Sequence, residues 1–93
     1  MSEHGHLASF FNLMPPSYRA QILAEIRHGK RSWSHADIGG DFDAFRTRVV
    51  EPLRQLKYDG TIQALSEVES LIDGRMVITS VSIIGPVSFH REA

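Results

Sequence analysis

Apolar side chains recur at helical spacing soon after a pair of prolines. Tyr18, Ile22 and Ile26 follow one another at steps of four residues, which places them on one face of a helix. Ser17 is a suitable N-cap because its hydroxyl can accept a hydrogen bond from the first turn, and Gly29 is a suitable C-terminal stop. The pattern predicts a first helix between these two residues.

A second apolar stripe is longer and begins after Asp41, which is a candidate N-cap. Its members recur at steps of three and four residues and share one side of a helix: Phe42, Phe45, Val49, Leu53 and Leu56. Pro52 lies inside this helix and removes one backbone hydrogen bond, so the sequence predicts a kink or a division there. Gly60 is a candidate C-terminal cap.

Between these two helices, the segment RSWSHADIGG allows only a very short helix. Ser34 and Asp37 have the spacing of a capping box, and Trp33 could pack against the helix entry. Gly39 and Gly40 stop the chain after little more than one turn. The sequence therefore predicts three helices, of which the second is unusually brief.

The last third of the chain changes from helical spacing to β-branched residues. Residues 76–83 are rich in β-branched side chains and place Val77, Val81 and Ile83 on one side, which indicates a strand, whereas residues 61–72 fit either a helix or an irregular strand. Asp73–Gly74 between the two segments favours a hairpin, because both central residues of such a turn need positive φ. Gly85–Pro86 is expected to end the strand, after which VSF could add a short final one.

This order of elements resembles that of a winged helix-turn-helix domain. The resemblance covers residues 17–83, and its closest local match is Leu53-Arg54-Gln55-Leu56 followed by Asp59-Gly60-Thr61-Ile62. That match looks like the junction between a recognition helix and the first wing strand in bacterial regulators of this fold. The resemblance implies an α+β fold, a three-helix winged helix-turn-helix domain with a C-terminal β-hairpin wing. The expected organisation is an N-terminal arm over residues 1–15, a winged-helix domain over 16–90 and a disordered end over 91–93.

Composition and charge indicate a globular chain that does not bind nucleic acid by charge alone. The 93 residues include 42% apolar and 23% charged residues, and the net charge is −1. The middle is mildly basic, since residues 16–60 carry eight Lys and Arg against six Asp and Glu. No apolar run approaches the roughly 20 residues that cross a bilayer, and no secretion signal is recognised, so we expect a cytoplasmic protein.

The candidate DNA-binding residues are basic or hydroxyl side chains outside the apolar stripe. The resemblance implies that the start of the third helix enters the major groove, while the hairpin tip and the segment after the first helix contact the backbone. Arginine suits this role because its planar fork can donate two hydrogen bonds to guanine or phosphate. The alternative is a solvated helix face with ordinary ion pairs. The candidate set is Arg46, Thr47, Arg48, Arg54, Lys30, Arg31 and Arg75.

Catalytic and metal chemistry find little support in the sequence. There is no cysteine, and no pair of the five histidines has the i, i+4 spacing of a zinc-binding helix. Ser34, His35 and Asp37 are the residue types of a hydrolytic triad, but neighbours in one short turn cannot align as nucleophile, base and orienting group. We therefore expect no enzyme activity, no cofactor and no metal.

Large apolar residues near both ends of the sequence need cover. They complete the domain's own core or form a dimer interface, and a homodimer would supply two recognition helices for two half-sites on DNA. The expected function is thus a small DNA-binding transcriptional regulator that acts on double-stranded DNA. The alternative is a winged-helix module for protein–protein contact within a larger assembly. The terminal apolar residues are Leu7, Phe10, Phe11, Leu13, Met14, Val81, Ile83, Ile84, Val87 and Phe89.

Overall fold

The structure is a computed structural model that describes residues 15–89 of the chain. That part folds as two helices, one 3-10 turn and a three-stranded antiparallel sheet. In chain order the elements are helix α1 (Pro15–Arg27), strand β1 (Ser32–Ser34), the 3-10 turn (His35–Ile38), helix α2 (residues 42–58), strand β2 (Ile62–Ile72) and strand β3 (Arg75–Val87). The expected arm, apart from residue 15, and the expected end over residues 91–93 lie outside the described residues.

Helix α1 confirms the first predicted helix, with a start two residues earlier than Ser17. Pro15 opens the helix, because a proline in the first turn lacks only an N–H that would have no intrahelical partner. Gly29, with φ 99°, ends it, and its N–H donates to the carbonyl of Ile26 at 2.9 Å. Ile22 and Ile26 are buried in the core, as their spacing predicts.

The predicted second helix is wrong: the segment forms only the single turn His35–Ile38, so the domain has two helices and not three. The capping box itself is present, because Ser34 accepts a hydrogen bond from the turn and Asp37 accepts one from the Ser34 N–H at 3.0 Å. Gly39 and Gly40 follow with φ of 85° and 81°. Two successive left-handed residues stop the turn before an α-helix can propagate.

Helix α2 continues through Pro52 by changing its hydrogen-bond pattern. Its three consecutive parts are Phe42–Phe45, a π-helical stretch Arg46–Val50 and Glu51–Tyr58. The N–H of Glu51 donates to the carbonyl of Arg46, five residues earlier. A proline ring crowds the carbonyl four residues before it and offers no N–H. The wider turn makes room for the ring, and the helix continues without being divided.

Both predicted ends of α2 are confirmed. Asp41 is the N-cap, and its carboxylate accepts hydrogen bonds from the N–H groups of Asp43 and Ala44 at 3.0 and 3.1 Å. Gly60 has φ 89°, and the following Thr61 N–H donates to the Leu56 carbonyl at 2.9 Å. The stripe along α2 packs inward, with all its members buried except the half-buried residue 42.

The hairpin confirms the strand interpretation of residues 61–72. Asp73 and Gly74 have positive φ of 51° and 81°, as the predicted two-residue turn requires. Ile72 and Arg75 on either side of the turn lie opposite each other.

The expected end of the strand at Gly85–Pro86 is wrong, because β3 runs on to Val87. Ile62 lies opposite Val87 and Ala64 opposite Ile84, so two residues of β3 face one residue of β2 at this point. Gly85 supplies the positive φ of 84° that such a β-bulge requires, and the bulge absorbs the missing N–H of proline.

Strand β1 was not predicted from the sequence. It pairs with β3 and places Trp33 opposite Val81, giving the strand order β1-β3-β2. Trp33 is buried and donates from Nε1 to Glu25 at 2.7 Å. It belongs to the sheet and also lines a cleft with Ile38 of the 3-10 turn. One face of the sheet packs against both helices around Phe45 and Leu53.

Candidate functional site

Three consecutive side chains of α2 are exposed on its π-helical turn: Arg46, Thr47 and Arg48. The residues on either side, Phe45 and Val49, are buried in the core. A π turn holds more residues than an α turn, so its successive side chains are separated by a smaller angle. The turn that accommodates the proline therefore presents these three candidates as one short exposed surface.

The two arginines of this surface make loose contacts with the rest of the protein. Arg46 Nη1 lies 3.6 Å from Glu51 Oε2, and both side chains are more than half exposed. The guanidinium of Arg48 lies 5.7 Å from the ring centre of Tyr18 in α1. Such exposed contacts contribute about 1 kcal/mol or less to stability, so both arginines are easily redirected toward a ligand.

The hairpin brings Arg75 to the start of the same helix. Its Nη2 lies 3.4 Å from Asp43 Oδ1, and the two side chains are 63% and 70% exposed. Arg75 and Arg46 both line one cleft of about 240 Å³, together with Asp43 and Glu69. Two of the candidates thus meet across helix and hairpin, and carboxylates accompany them.

Lys30 and Arg31 lie elsewhere, after the end of α1. Lys30 Nζ is 3.9 Å from Asp37 Oδ2 and shares a cleft of about 130 Å³ with Arg48. Arg31 donates from Nη1 to the carbonyls of Ile26 and Lys30 at 2.8 and 3.0 Å. Arg31 therefore caps the helix, whereas Lys30 flanks the exposed surface of α2.

Arg54 is held by a bond that the sequence did not predict. Its Nε and Nη2 donate to Oε2 and Oε1 of Glu67 at 2.8 and 2.7 Å, a bidentate pair between α2 and β2. The hydrogen bond from Arg54 lowers the pKa of Glu67, and the same bond raises the pKa of Arg54. This arginine fastens the hairpin to the helix.

A second groove on the domain contains residues that the sequence did not single out. Lys57 and Tyr58 of α2 face Leu65 and Glu67 of β2 across a cleft of about 610 Å³, which Arg54 also lines. Tyr58 is 93% exposed. Its position outside the apolar stripe is the sequence feature that could have indicated a surface role.

The residues of the apparent triad have structural roles. Ser34 and Asp37 form the capping box, and the His35 ring lies 4.4 Å from the Phe42 ring, with Nδ1 3.3 Å from the carbonyl of Thr79. The predicted capping role of Ser34 and Asp37 is confirmed.

Within residues 15–89, no three His, Cys, Asp or Glu side chains lie together so as to hold a metal ion. No helix in that same part is long and apolar enough to cross a membrane. Protein-family models, curated proteins and solved structures give no significant match to the chain.

Proposed function

We propose that the protein is a small DNA-binding regulator of the winged helix-turn-helix type, with α2 in the major groove and the hairpin on the flanking backbone. The observation that carries this proposal is the exposed run Arg46, Thr47 and Arg48 on the π-helical turn, beside a cleft that Arg46 shares with Arg75. The order of α1, 3-10 turn, α2 and hairpin supports it as well.

The chemistry of this surface suits a DNA groove. The two arginine forks can each donate two hydrogen bonds to guanine O6 and N7 or to phosphate oxygens, and the Thr47 hydroxyl can donate or accept. Arg75 on the hairpin and Lys30 beside α1 would contact phosphates on either side of the groove. Arg54 contributes indirectly, by fixing the hairpin to the recognition helix.

Charge limits the affinity of one subunit. Arg46 and Arg75 must exchange their carboxylate partners for phosphate, and Asp43 and Glu69 beside them repel the DNA backbone. Because exposed ion pairs are worth only about 0–1 kcal/mol, the exchange is feasible. A homodimer that binds two half-sites would add the contributions of both subunits, and we include it in the proposal.

Fluorescence anisotropy with a mixed-sequence duplex, at about 50 and 200 mM salt, tests this function. We expect binding that weakens by orders of magnitude across that range. Replacing Arg46 and Arg48 together by alanine should weaken binding about tenfold or more and reduce the slope of log affinity against log salt by about two.

Lys57→Ala is the matched control, because it removes an exposed cation from the same helix but outside the proposed surface. It should leave both affinity and slope nearly unchanged. No binding at low salt, or equal losses for the control and the double variant, would refute the proposal.

A further inference from the structure

The outer edge of the sheet carries a groove that the proposed DNA surface does not use. Strand β2 is last in the order β1-β3-β2, so one side of β2 has no neighbouring strand within residues 15–89. The end of α2 lies along the same strand, and the cleft of about 610 Å³ between them is lined by Arg54, Lys57, Tyr58, Leu65 and Glu67. An open strand edge beside a groove is the geometry of β-strand addition, in which an extended peptide joins a sheet.

The strand register aims alternate side chains of β2 into the groove. Leu65 lies opposite Ile83 and Glu67 opposite Val81, and these two β3 residues are buried in the core. Partners directly opposite each other share a face of the sheet, so Leu65 and Glu67 belong to the face that α2 covers. An added strand would have the same period of two, so every second side chain of a peptide would enter the groove.

The charges of the groove specify what such a peptide carries. Arg54 and Glu67 satisfy each other, whereas Lys57 makes no ion pair with any residue in the described range. The groove therefore favours a carboxylate near Lys57.

Apolar surface at the same place adds the second element of recognition. Leu65 is half-buried beside Tyr58, whose side chain is 93% exposed and fills no part of the domain's core. An apolar side chain of a peptide, placed between Leu65 and Tyr58, would bury apolar surface of these two residues and of itself. From edge, register, charge and apolar surface together, we infer that the groove between α2 and β2 binds an extended peptide of another protein, which adds to β2 as a fourth strand.

The bound peptide places an acidic side chain at Lys57 and, two positions away, an apolar side chain against Leu65 and Tyr58. A second copy of β2 fits less well, because self-pairing would repeat Glu67 and Glu69 on both strands of the new ladder. Charged residues on an edge strand oppose this kind of self-association. The site is separate from the proposed DNA-contacting surface, because none of the exposed residues 46–48 lines it.

Selection of a displayed library of random twelve-residue peptides on the 93-residue chain tests the inference. We expect enriched sequences that alternate and carry Asp or Glu two positions from a large apolar residue. The synthetic form of the most enriched sequence should protect the amides of residues 62–72 from hydrogen exchange more than those of residues 32–34. Failure to enrich any sequence, or enrichment without that acid and apolar pair, would overturn it.

Variants of the groove sharpen the test. Lys57→Ala and Tyr58→Ala should each weaken binding of the selected peptide about fivefold. Lys57→Glu should abolish it, and a peptide with lysine in place of its acid should restore binding to that variant. Both side chains are exposed, so unchanged melting temperatures are expected and serve as the folding control.

The double alanine replacement of Arg46 and Arg48 is the matched control for this surface. It should leave peptide affinity unchanged, just as Lys57→Ala should leave DNA affinity unchanged. Loss of peptide binding in the double variant would contradict a separate site. Because each surface has its own variant and probe, failure of one proposal is distinguishable from failure of the other.

Discussion

The two halves of helix α2 carry the same kind of cation in two different settings. Around its first half, Arg46 and Arg75 lie 3.6 and 3.4 Å from carboxylates, with every side chain involved more than half exposed. In its second half, Arg54 makes two hydrogen bonds of 2.7 and 2.8 Å to Glu67, whose side chain is only 24% exposed. The first kind of pair exchanges readily for a ligand, whereas the second holds two elements together.

The contrast shows that the role of an arginine depends on the carboxylate it contacts and not on its position in the helix. Arg46 and Arg54 both lie outside the apolar stripe of one helix and look equivalent in sequence. The hairpin brings Glu67 to Arg54 with both oxygens aligned, while Arg46 faces solvent and the exposed carboxylate of Glu51 in its own helix. One arginine is consequently structural and the other is available.

Removing the carboxylate of the tight pair should have the largest effect on stability. Glu67→Gln leaves Arg54 with one neutral acceptor, and we expect the free energy of unfolding to fall by about 1 kcal/mol. For a domain of this size, that corresponds to a decrease in melting temperature of about 4–8 °C. Urea and thermal unfolding measure it, and a fall no larger than that of Glu51→Gln would break the contrast.

Removing a carboxylate of the loose pairs should affect DNA binding more than folding. Asp43→Asn and Glu51→Gln release Arg75 and Arg46, and each should strengthen DNA binding about threefold to fivefold at low salt. Glu51→Gln should change the free energy of unfolding by less than about 0.5 kcal/mol. Asp43→Asn should cost slightly more, since Asp43 also lies in the first helical turn.

Anisotropy titrations of the two variants against one duplex measure this gain. Glu67→Gln makes the same change of charge but should not strengthen DNA binding, because its carboxylate holds Arg54, which fastens the hairpin to the helix and is not one of the exposed arginines. Weaker DNA binding after either release would contradict the proposed role of these arginines.

The pH dependence of stability should come from two carboxylates. The hydrogen bond from Arg54 lowers the pKa of Glu67; at Asp59, desolvation acts to raise the pKa, but hydrogen bonds from Thr61 and Arg19 together lower it. A carboxylate whose pKa is lower in the folded state stabilises the fold above its unfolded pKa, and this contribution is lost as the pH falls.

Unfolding in urea between pH 7 and pH 3 tests this direction. Stability should fall below about pH 4.5, near the ordinary pKa of glutamate, and the fall should be smaller in Glu67→Gln. An equal fall in the variant would mean that Glu67 is not a source of the acid sensitivity.

The smallest effect should come from changing geometry while keeping charge. Arg54→Lys retains the positive charge opposite Glu67 but loses the two parallel hydrogen bonds. We expect a loss of about 0.5 kcal/mol in the free energy of unfolding, less than in Glu67→Gln. Arg46→Lys is the matched control and should show no measurable loss, because its pair is neither close nor bidentate.

Features set by nearby residues were predictable from the sequence. Gly29 and Gly60 end the two helices because the capping geometry involves only the preceding turn. Asp41 and the turn at Asp73–Gly74 are local in the same sense. Pro52 correctly marked a disturbance in α2, although the sequence did not show that it takes the form of a π-helical turn.

Features set by distant partners were not predictable in this way. Trp33 becomes part of a strand only because Val81, far along the chain, pairs with it. Gly85 lies in a β-bulge and does not end the strand, because Val87 beyond it pairs with Ile62 of β2. The structural role of Arg54 depends on the register of the hairpin, which aligns Glu67 with it. The sequence alone therefore could not distinguish this ion-paired arginine from the exposed ones.

Titration of the amide-labelled protein with duplex DNA, followed by two-dimensional NMR, tests the central contrast most directly. We expect the amide signals of residues 46–48 and 74–76 to shift or broaden with added DNA at low salt, while those of residues 54–58 and 65–67 keep their positions. Shifts confined to residues 54–58 and 65–67, or no change anywhere at low salt, would contradict it.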